Sequence, residues 1–334
     1  MRRLVVALVV FALPAVAQAA QSISDDTGRT WQVSEQVERV MAAGAPAEIL
    51  LYTLAPERMV GWNHMPTEAQ RAYMPDELEP RAAIPSLPDL ESDRYDAGIL
   101  ALKPQMIIDY GDVKQGYVDL SQAVSERTGL PYPLFSGRLV DIPRTYRTLG
   151  RVLGVPERAE RLAQASQDIL KRYKGALARD GAAPRLYLTI SPDGMLPAFA
   201  NESWGEVAAW LGAQNVMGSV DLEHYTPIAF EDIKAADPDA ILALNPGFME
   251  TMKRDPRWRA LRAVRDGHVY AAPRLPFDWA SRPPSVNRLL GVVRTRYAVA
   301  GKPFDETFYD DVQTLFKELY HWDIDRAGID ALVQ

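Results

Sequence analysis

Residues 157–177 read ERAERLAQASQDILKRYKGAL, and the rest of the chain is arranged on both sides of them. Apolar or small side chains recur at spacings of three and four, which places them on one face of a helix. These residues are Ala159, Leu162, Ala163, Ser166, Ile169, Leu170, Tyr173 and Leu177. Pro156 stands at the first helical position, where a missing N–H is tolerated. The pattern predicts a helix roughly 30 Å long, since each residue adds about 1.5 Å.

Segments of domain size with alternating strand and helix patterns lie on both sides of this predicted helix. We interpret the helix as a single long connection between two lobes. The predicted division is an N-terminal lobe at residues 20–140, a linker with the helix at 141–181, and a C-terminal lobe at 182–334. An ordinary surface helix within one domain would show the same pattern and remains the alternative.

The first 19 residues have the form of a secretory signal peptide. Two arginines precede an apolar run from Leu4 to Val16, and Ala17-Gln18-Ala19 is a small-x-small cleavage site. The apolar run is shorter than the about 20 residues that a membrane span needs, which favours a cleaved signal over a retained anchor. We therefore predict cleavage after Ala19 and an exported, soluble protein of the periplasm.

Composition restricts the function further. After cleavage about 315 residues would remain, enough for two lobes on the usual scale. The chain is 47% hydrophobic and 24% charged, and its net charge of −7 argues against nucleic-acid binding, which requires a basic surface. It contains no cysteine, which excludes disulfides and thiolate metal ligands.

Short buried strands alternate with helices in both predicted lobes. In the N-terminal lobe, continuous apolar runs at residues 48–54 and 105–111 predict strands of a parallel sheet. The segment Asp25-Asp26-Thr27-Gly28-Arg29 predicts a hairpin turn before them. In the C-terminal lobe, the predictions are strands at 185–190 and 239–244, a hairpin at 264–270, and helices at 230–236, 285–300 and 304–320. This alternation indicates an α/β fold of two Rossmann-like lobes with mostly parallel sheets.

The two predicted lobes also echo each other. ILALKPQMIIDYG begins at Ile99 and IKAADPDAILALNPG begins at Ile233. Both segments read as a helix, a polar residue, a proline and then a buried strand that runs into a glycine. An internal similarity of this kind fits two lobes of like build.

An ordered set of short motifs resembles one known family. The motifs are the DxxGR hairpin, LAPERMVGW, ILALKP before an apolar strand, LGRVLGVPERAERLA, ADPDAIL and WRALRAVRDGHVYAAP. Together they resemble the periplasmic substrate-binding proteins of ABC importers for iron chelates and vitamin B12, over nearly all of the chain after residue 19. The resemblance implies two lobes joined by one rigid helix (a class III binding protein), with a ligand held between the lobes and passed to a permease driven by an ATPase. FDWASRPPSVNRLLG further resembles a subgroup of iron transporters, one relative of which binds molybdate or tungstate.

Ligands of open α/β sheets bind beyond the carboxyl ends of the strands, and this rule selects the candidate ligand-binding residues. They are Trp62, Asn63, Tyr110, Phe135, Arg138, Trp204, Tyr225, Trp279 and Arg282. The aromatic side chains would pack against a chelate, with burial in the core as the alternative for each. Arg138 and Arg282 would neutralise an anionic ligand, although Arg282 has Asp278 as an alternative partner.

The resemblance also implies one exposed Glu per lobe that contacts the permease. Glu231 matches that position in the C-terminal lobe, whereas the equivalent N-terminal position is Ala97. Asp96 is the candidate there, with Glu91 and Asp93 a turn earlier as alternatives. The expected partners are a small-molecule ligand and the permease and ATPase of the inner membrane. A monomer without a cofactor is expected.

Three function classes follow from these observations. The first is a carrier of a ferric siderophore; the second is the same fold carrying molybdate or tungstate, haem or cobalamin. The third, an exported α/β enzyme, is disfavoured because no GxSxG, HExxH, Walker or GxGxxG motif occurs. The histidines lack metal-ligand spacing such as HxxxH, which disfavours a site for a bare metal ion.

Overall fold

A computed structural model describes residues 20–76, 83–84, 94–179, 181–200, 202–218, 228–280 and 282–333. The predicted signal peptide lies outside these residues, as does Tyr225. The strands are β1 Ala20–Ser24, β2 Thr30–Ser34, β3 Val40–Ala42, β4 Met106–Gly111, β5 Leu134–Ser136, β6 Arg185–Thr189, β7 Gln214–Asn215, β8 Ala240–Ala243 and β9 Val269–Ala271.

Helices account for most of the remaining regular structure. The α-helices are α1 Ala45–Leu54, α2 Glu68–Arg71, α3 Arg94–Ala101, α4 Gln115–Thr128, α5 Ile142–Val152, α6 Pro156–Tyr173, α7 Ala176–Arg179, α8 Glu206–Trp210, α9 Phe230–Ala236, α10 Gly247–Arg254, α11 Pro256–Arg259, α12 Arg262–Arg265, α13 Arg288–Ala300, α14 Glu306–Tyr320 and α15 Arg326–Val333. Short 3₁₀ turns occupy Pro56–Arg58 and Leu139–Asp141. None of the helices within the described ranges is both long enough and apolar enough to cross a membrane.

The strands form one antiparallel hairpin and two parallel sheets. β1 pairs with β2, the second sheet has the order β3-β4-β5, and the third has the order β7-β6-β8-β9. All pairings in the second and third sheets are parallel. The predicted α/β fold with mostly parallel sheets is therefore confirmed.

Asp25 organises the predicted hairpin turn. Its carboxylate accepts hydrogen bonds from Thr27, from Arg29 and from Trp31 Nε1 at 2.9 Å. It also accepts the N–H of Leu134 at 3.3 Å, which fixes the hairpin to β5. Burial acts to raise the pKa of Asp25, but these hydrogen bonds outweigh it and lower the pKa below its ordinary value.

Two of the predicted elements are wrong. Residues 48–54 are part of helix α1 and not a strand, because Pro46 lies in the first turn and the helix is buried along its length between β4 and α14. A continuous apolar run does not distinguish a buried helix from a buried strand. Residues 264–270 are not a hairpin, since α12 ends at Arg265 and β9 then pairs in parallel with β8.

The two echoing segments follow the same backbone course. In each, a helix ends at a left-handed residue directly before a proline and the chain then enters a central strand. Lys103 (φ 49°) links α3 to β4, and Asp237 (φ 38°) links α9 to β8. The residue before a proline avoids the helical conformation, so the proline ends the helix at the corresponding place in both segments.

Helix α6 has the predicted buried face but is shorter than predicted. All predicted positions from Ala159 to Tyr173 are buried. The helix ends at Tyr173, and α7 continues in the same region after a break at Lys174. α5 packs against α6 so closely that a Cβ atom at Gly150 would overlap the Cβ of Ala159.

The buried face of α6 belongs to an apolar core to which both halves of the chain contribute. α14 packs on α6 and also on α1, and the Tyr52 hydroxyl of α1 donates a hydrogen bond to the Tyr320 carbonyl at 3.3 Å. α13 packs on α6 and α8. The last helices therefore connect the N-terminal sheet region to the C-terminal one.

Glu48 is a buried carboxyl group in the first turn of α1, and it makes stability depend on pH. It accepts the backbone N–H groups of Asn63 and His64, but burial outweighs them and raises the pKa of Glu48 to about 7. A pKa raised above the unfolded value of 4.5 means that the folded state holds the proton more tightly. Stability should therefore fall as pH rises from about 4.5 to 7.

Glu48→Gln should reduce this loss, because the amide oxygen still accepts a backbone N–H and carries no charge. We expect the variant to exceed the wild type in free energy of unfolding by on the order of 2 kcal/mol at pH 8, with little difference at pH 4.5. Urea denaturation across that pH range is the measurement, with the exposed Glu35→Gln as control. Asp109, whose pKa burial raises to about 6, should keep a smaller pH dependence in the variant. Parallel curves for the wild type and Glu48→Gln would contradict the assignment.

Candidate ligand-binding cleft

Two adjoining cavities form a cleft between the carboxyl ends of β4 and β5 and the segment around α8. The main cavity has a volume of about 860 Å³ and the side compartment about 330 Å³. Both are lined by Gly111, Asp112, Lys114, Glu202 and Ser203. The main cavity is also lined by Asp26, Val113, Ser136, Arg138, Asp141, Arg144, Lys174, Ala200, Glu206, Ala209 and Trp210. The side compartment is also lined by Gly44, Pro46, Asp109, Tyr110, Tyr117, Gly137, Trp204 and Pro284.

The carboxyl ends of neighbouring parallel strands supply one wall, as expected for an open α/β sheet. β4 ends at Gly111 and β5 at Ser136, and the Gly137 N–H donates to the Gly111 carbonyl at 2.8 Å. A Cβ at Gly137 would lie 2.8 Å from the Gly111 Cα, so a larger side chain would separate the two strand ends. The opposite wall is the segment before α8 together with α8 itself.

A fully buried arginine joins residues that line the two cavities. Arg288, at the start of α13, donates to the carbonyls of Gly137, Ser203 (2.7 Å) and Ser285 (3.2 Å) and to the Glu206 carboxylate (3.0 Å). Gly137 belongs to one wall, whereas Ser203 and Glu206 belong to the other. One guanidinium therefore binds the two walls together.

Two further contacts strengthen this connection. The Glu206 carboxylate accepts the N–H of Leu139, with both oxygens at 3.0 Å. The Ser285 hydroxyl, directly before α13, donates to the Pro46 carbonyl of α1 at 2.7 Å. Both contacts cross between the N-terminal and C-terminal halves of the chain.

An ion-pair network holds the loop that follows β5. Arg144 lies between Asp26 (2.5 Å) and Asp141 (3.2 Å), and the hydrogen bond to Asp26 is the main cause that raises the pKa of Arg144. Asp26 also accepts the N–H of Ser136 at 2.7 Å, and the Ser136 hydroxyl donates to Asp141 at 2.7 Å. Arg144, Asp26 and Asp141 are thus paired with one another.

Two other cationic side chains on the cleft wall, Arg138 and Lys174, are better placed to contact a ligand. The guanidinium of Arg138 is exposed and has no hydrogen-bond or ion-pair partner in the part of the chain that the structure describes. Lys174 Nζ lies 5.6 Å from the centroid of the Trp210 ring, and Trp210 Nε1 donates to the Leu170 carbonyl at the end of α6. These groups offer positive charge and an aromatic face to a ligand.

Three of the predicted ligand-binding residues line the cleft. Arg138 lies on the wall of the main cavity, and Tyr110 and Trp204 line the side compartment. Asn63 donates from its side chain to the Ala42 carbonyl at 3.3 Å, and Arg282 donates to the Ile190 carbonyl at 2.9 Å; neither lines the cleft. Arg282 therefore bonds to the end of β6, while Asp278 has an ion-pair contact with Arg274 at 3.8 Å.

The other described aromatic candidates lie in the apolar core and do not line the cleft. Trp62 packs between Tyr52 and Phe277, with a stacked Phe277 ring at 6.3 Å. Phe135 is 1% exposed and Trp279 is 0% exposed. Tyr52 of α1 packs on Trp62 and Phe316 of α14 packs on Trp279, so these helices bury both rings.

The proposed permease contacts differ in their surroundings. Glu231 is exposed in the first turn of α9. Asp96, in the first turn of α3, is paired with Arg127 at 2.7 Å.

No sequence pattern predicted that Glu206, Asp26 and Lys174 line the cleft or that Arg288 joins its walls. The available signal for Arg288 was a charge within a helix whose neighbours in sequence are nearly all apolar. In the residues that the structure describes, no group of three or more His, Cys, Asp and Glu side chains is arranged to hold a metal ion.

Comparisons with known proteins show a family and a fold. The family model described as periplasmic binding protein matches residues 40–275. An ABC transporter solute-binding protein from Sulfurospirillum deleyianum is 22% identical, with a TM-score of 0.80, over 93% of this chain and 98% of that chain. No curated protein sequence matches the chain significantly.

Two further solved structures share the fold at lower identity. Molybdate-bound MolA from Haemophilus influenzae is 17% identical, with a TM-score of 0.70, over 91% of this chain and 99% of that chain. CeuE from Helicobacter pylori in a nickel–histidine complex is 14% identical, with a TM-score of 0.67, over 95% and 100% of the two chains. At these identities the likeness concerns the fold and not the ligand.

Proposed function

The chain belongs to the periplasmic binding protein family, whose members bind solutes and are not enzymes, and from this we propose that it is the solute-binding component of an ABC importer for an iron chelate. The chelate is a ferric siderophore, bound between two lobes and delivered to a membrane permease. The protein acts in the periplasm as a monomer, after export and removal of residues 1–19.

The division into lobes is part of this proposal. The two parallel sheets, with strands between 40 and 136 and between 185 and 271, each have apolar clusters of their own. α6 lies between them in the chain. We propose lobes at 20–140 and 182–334 joined by residues 141–181, with α13 and α14 as the second connection on the same side as α6.

The size and position of the cleft favour a chelate as the ligand. A volume of about 860 Å³ with an adjoining 330 Å³ lies in the range of pockets for small organic molecules and far exceeds what a bare ion fills. The exposed guanidinium of Arg138 on its wall supplies charge-assisted hydrogen bonds for the oxygen atoms of a chelate.

An oxyanion carrier is the second candidate. Gly44 and Pro46, at the start of α1, line the side compartment, and the first turn of this helix has no side-chain cap. A helix start of this kind favours negative charge, and the similar MolA structure contains molybdate. The carboxylates that line the same compartment oppose this candidate.

Tryptophan fluorescence tests which ligand the protein binds, because Trp210 lines the main cavity and Trp204 lines the side compartment. We expect a saturable change with a ferric siderophore, and a weaker change or none with molybdate, tungstate, haem or cobalamin. Arg138→Ala should weaken chelate binding about tenfold, whereas Arg282→Ala, a matched exposed arginine outside the cleft lining, should leave it unchanged. The absence of a fluorescence change with every ferric chelate would contradict the iron-chelate proposal. A fluorescence change with molybdate or tungstate alone would favour the oxyanion carrier.

We also propose that Glu231 contacts the permease from the C-terminal lobe, because it is exposed at the start of α9. Asp96 is the proposed counterpart in the N-terminal lobe, and its pair with Arg127 would have to rearrange for that contact. Uptake by cells, measured separately from ligand affinity, is the measurement that tests both contacts.

A further inference from the structure

The side compartment is rich in carboxylates. Asp109, Asp112 and Glu202 line it, together with a single cationic side chain, Lys114. Lys114 pairs with Asp112 at 3.2 Å. Carboxylates therefore outnumber basic side chains in the lining of this compartment.

Asp109 is the carboxylate of this group that lacks a counter-ion. It lies near the carboxyl end of β4, and its Oδ1 accepts the N–H of Tyr110 at 2.8 Å. No cation among the described residues forms an ion pair with it. Burial raises the pKa of Asp109 to about 6, so the group is mostly ionised at neutral pH.

The cleft as a whole also has an excess of carboxylates. Among the described lining residues of the two cavities, the acids are Asp26, Asp109, Asp112, Asp141, Glu202 and Glu206, and the bases are Lys114, Arg138, Arg144 and Lys174. Even if the buried Arg288 behind this lining is counted, carboxylates remain in excess. A bare oxyanion would meet repulsion here, whereas a neutral or cationic ligand would not.

Two buried donors in the same place have no acceptor. Tyr110 is 1% exposed, and neither its hydroxyl nor Trp204 Nε1 has a hydrogen-bond partner in the described residues. Both residues line the side compartment. Buried donors of this kind require a partner, and a ligand with acceptor oxygens would supply it.

We propose that Asp109 makes the cleft selective for chelates that carry a protonated amine. The ammonium group enters the side compartment and pairs with the Asp109 carboxylate, and an adjoining acceptor oxygen of the chelate accepts from the Tyr110 hydroxyl and Trp204 Nε1. The rest of the oxygen-rich core occupies the main cavity beside Arg138. This inference rests on the proposed function and specifies its ligand class. An amine in this position would pair a charge that is otherwise without a partner, and a charge-assisted hydrogen bond of this kind is strong.

A matched pair of ligands tests the inference. The ferric complex of desferrioxamine B carries a free ammonium group, and its N-acetylated form has the same core without the charge. We expect the wild-type protein to bind the ammonium form at least about tenfold more tightly at pH 7.5, measured by tryptophan fluorescence and calorimetry. Asp109→Asn should abolish this preference and leave the affinity for the acetylated complex within about twofold, because the amide still accepts the Tyr110 N–H.

Asp112→Asn is the control, because Asp112 already pairs with Lys114 and should keep the preference. Equal affinities of the wild type for the two complexes, or a preference that survives in Asp109→Asn, would overturn the inference and leave the proposed function intact. The same holds if neither complex binds while another ferric chelate does. If no ferric chelate binds, both the proposed function and the role of Asp109 would be contradicted.

A second measurement does not depend on the variant folding. The wild-type preference for the ammonium form should decline as pH falls through about 6, because Asp109 then takes up a proton. The charged or titratable groups around it are Asp112, Lys114, Tyr117, Tyr132 and Glu202. A preference that stays constant between pH 5 and 8 would contradict the role of Asp109.

Discussion

Arg288→Met should lower the free energy of unfolding by about 3–5 kcal/mol, the largest effect that we expect from one substitution. The change removes the donor to the carbonyls of Gly137, Ser203 and Ser285 and leaves Glu206 without its cation. Buried acceptors without a donor pay the full desolvation penalty, and methionine fills only the volume of the lost side chain. Denaturant unfolding monitored by circular dichroism is the measurement.

Arg147→Met is the control, since Arg147 makes its ion pair with Glu160 at the surface and should leave the unfolding midpoint unchanged. Adding Glu206→Gln to Arg288→Met should recover part of the loss. Glutamine still accepts the Leu139 N–H and carries no charge that the loss of Arg288 would leave unpaired. An Arg288→Met protein as stable as the wild type would show that the contacts of Arg288 contribute little to stability.

Gly150→Val should destabilise the protein by about 3 kcal/mol by forcing α5 away from α6. A Cβ atom at this position would overlap Ala159 of α6, and both helices are too well packed to shift without loss of contacts elsewhere. Thermal and urea denaturation measure the effect. The same substitution at Gly98 in α3, where a Cβ would meet nothing within 4 Å, should change stability by less than about 0.5 kcal/mol.

Ala159→Gly provides the second test of this contact. Combined with Gly150→Val it opens space on the facing helix, and the double variant should be more stable than the sum of the two single changes predicts. Strictly additive effects would mean that the two helices do not meet at these residues.

The sequence predicted those parts of the fold that have a clear local period. The buried face of α6 follows spacings of three and four, and the central strands at Met106–Gly111 and Arg185–Thr189 are apolar runs bounded by turn residues. The run at 48–54 has no period, and only its packing between β4 and α14 decides that it is helical. Local pattern is insufficient where tertiary contacts choose between two structures.

The site was less predictable than the fold. Arg138 and Trp204 follow from the rule that ligands bind beyond strand ends, but the same rule selected Trp62 and Trp279, which lie in the core. The role of Arg288 arises from carbonyls that are distant in sequence. The missing counter-ion of Asp109 likewise becomes visible only when the side compartment is assembled.

The hydrogen bonds of Arg288 and Ser285 between the two halves of the chain affect how the protein would select its ligand. Arg288 joins both walls, and Ser285 bonds to Pro46 on the opposite half, so spreading the walls would break buried polar contacts. A binding site of this kind is preorganised, so little conformational entropy is lost when a ligand binds. The cleft does not change shape to fit a ligand that is not complementary to it. Selectivity among ligands then depends on how well each ligand fits a cleft of fixed shape. Release of the ligand would require the membrane permease to separate the two walls.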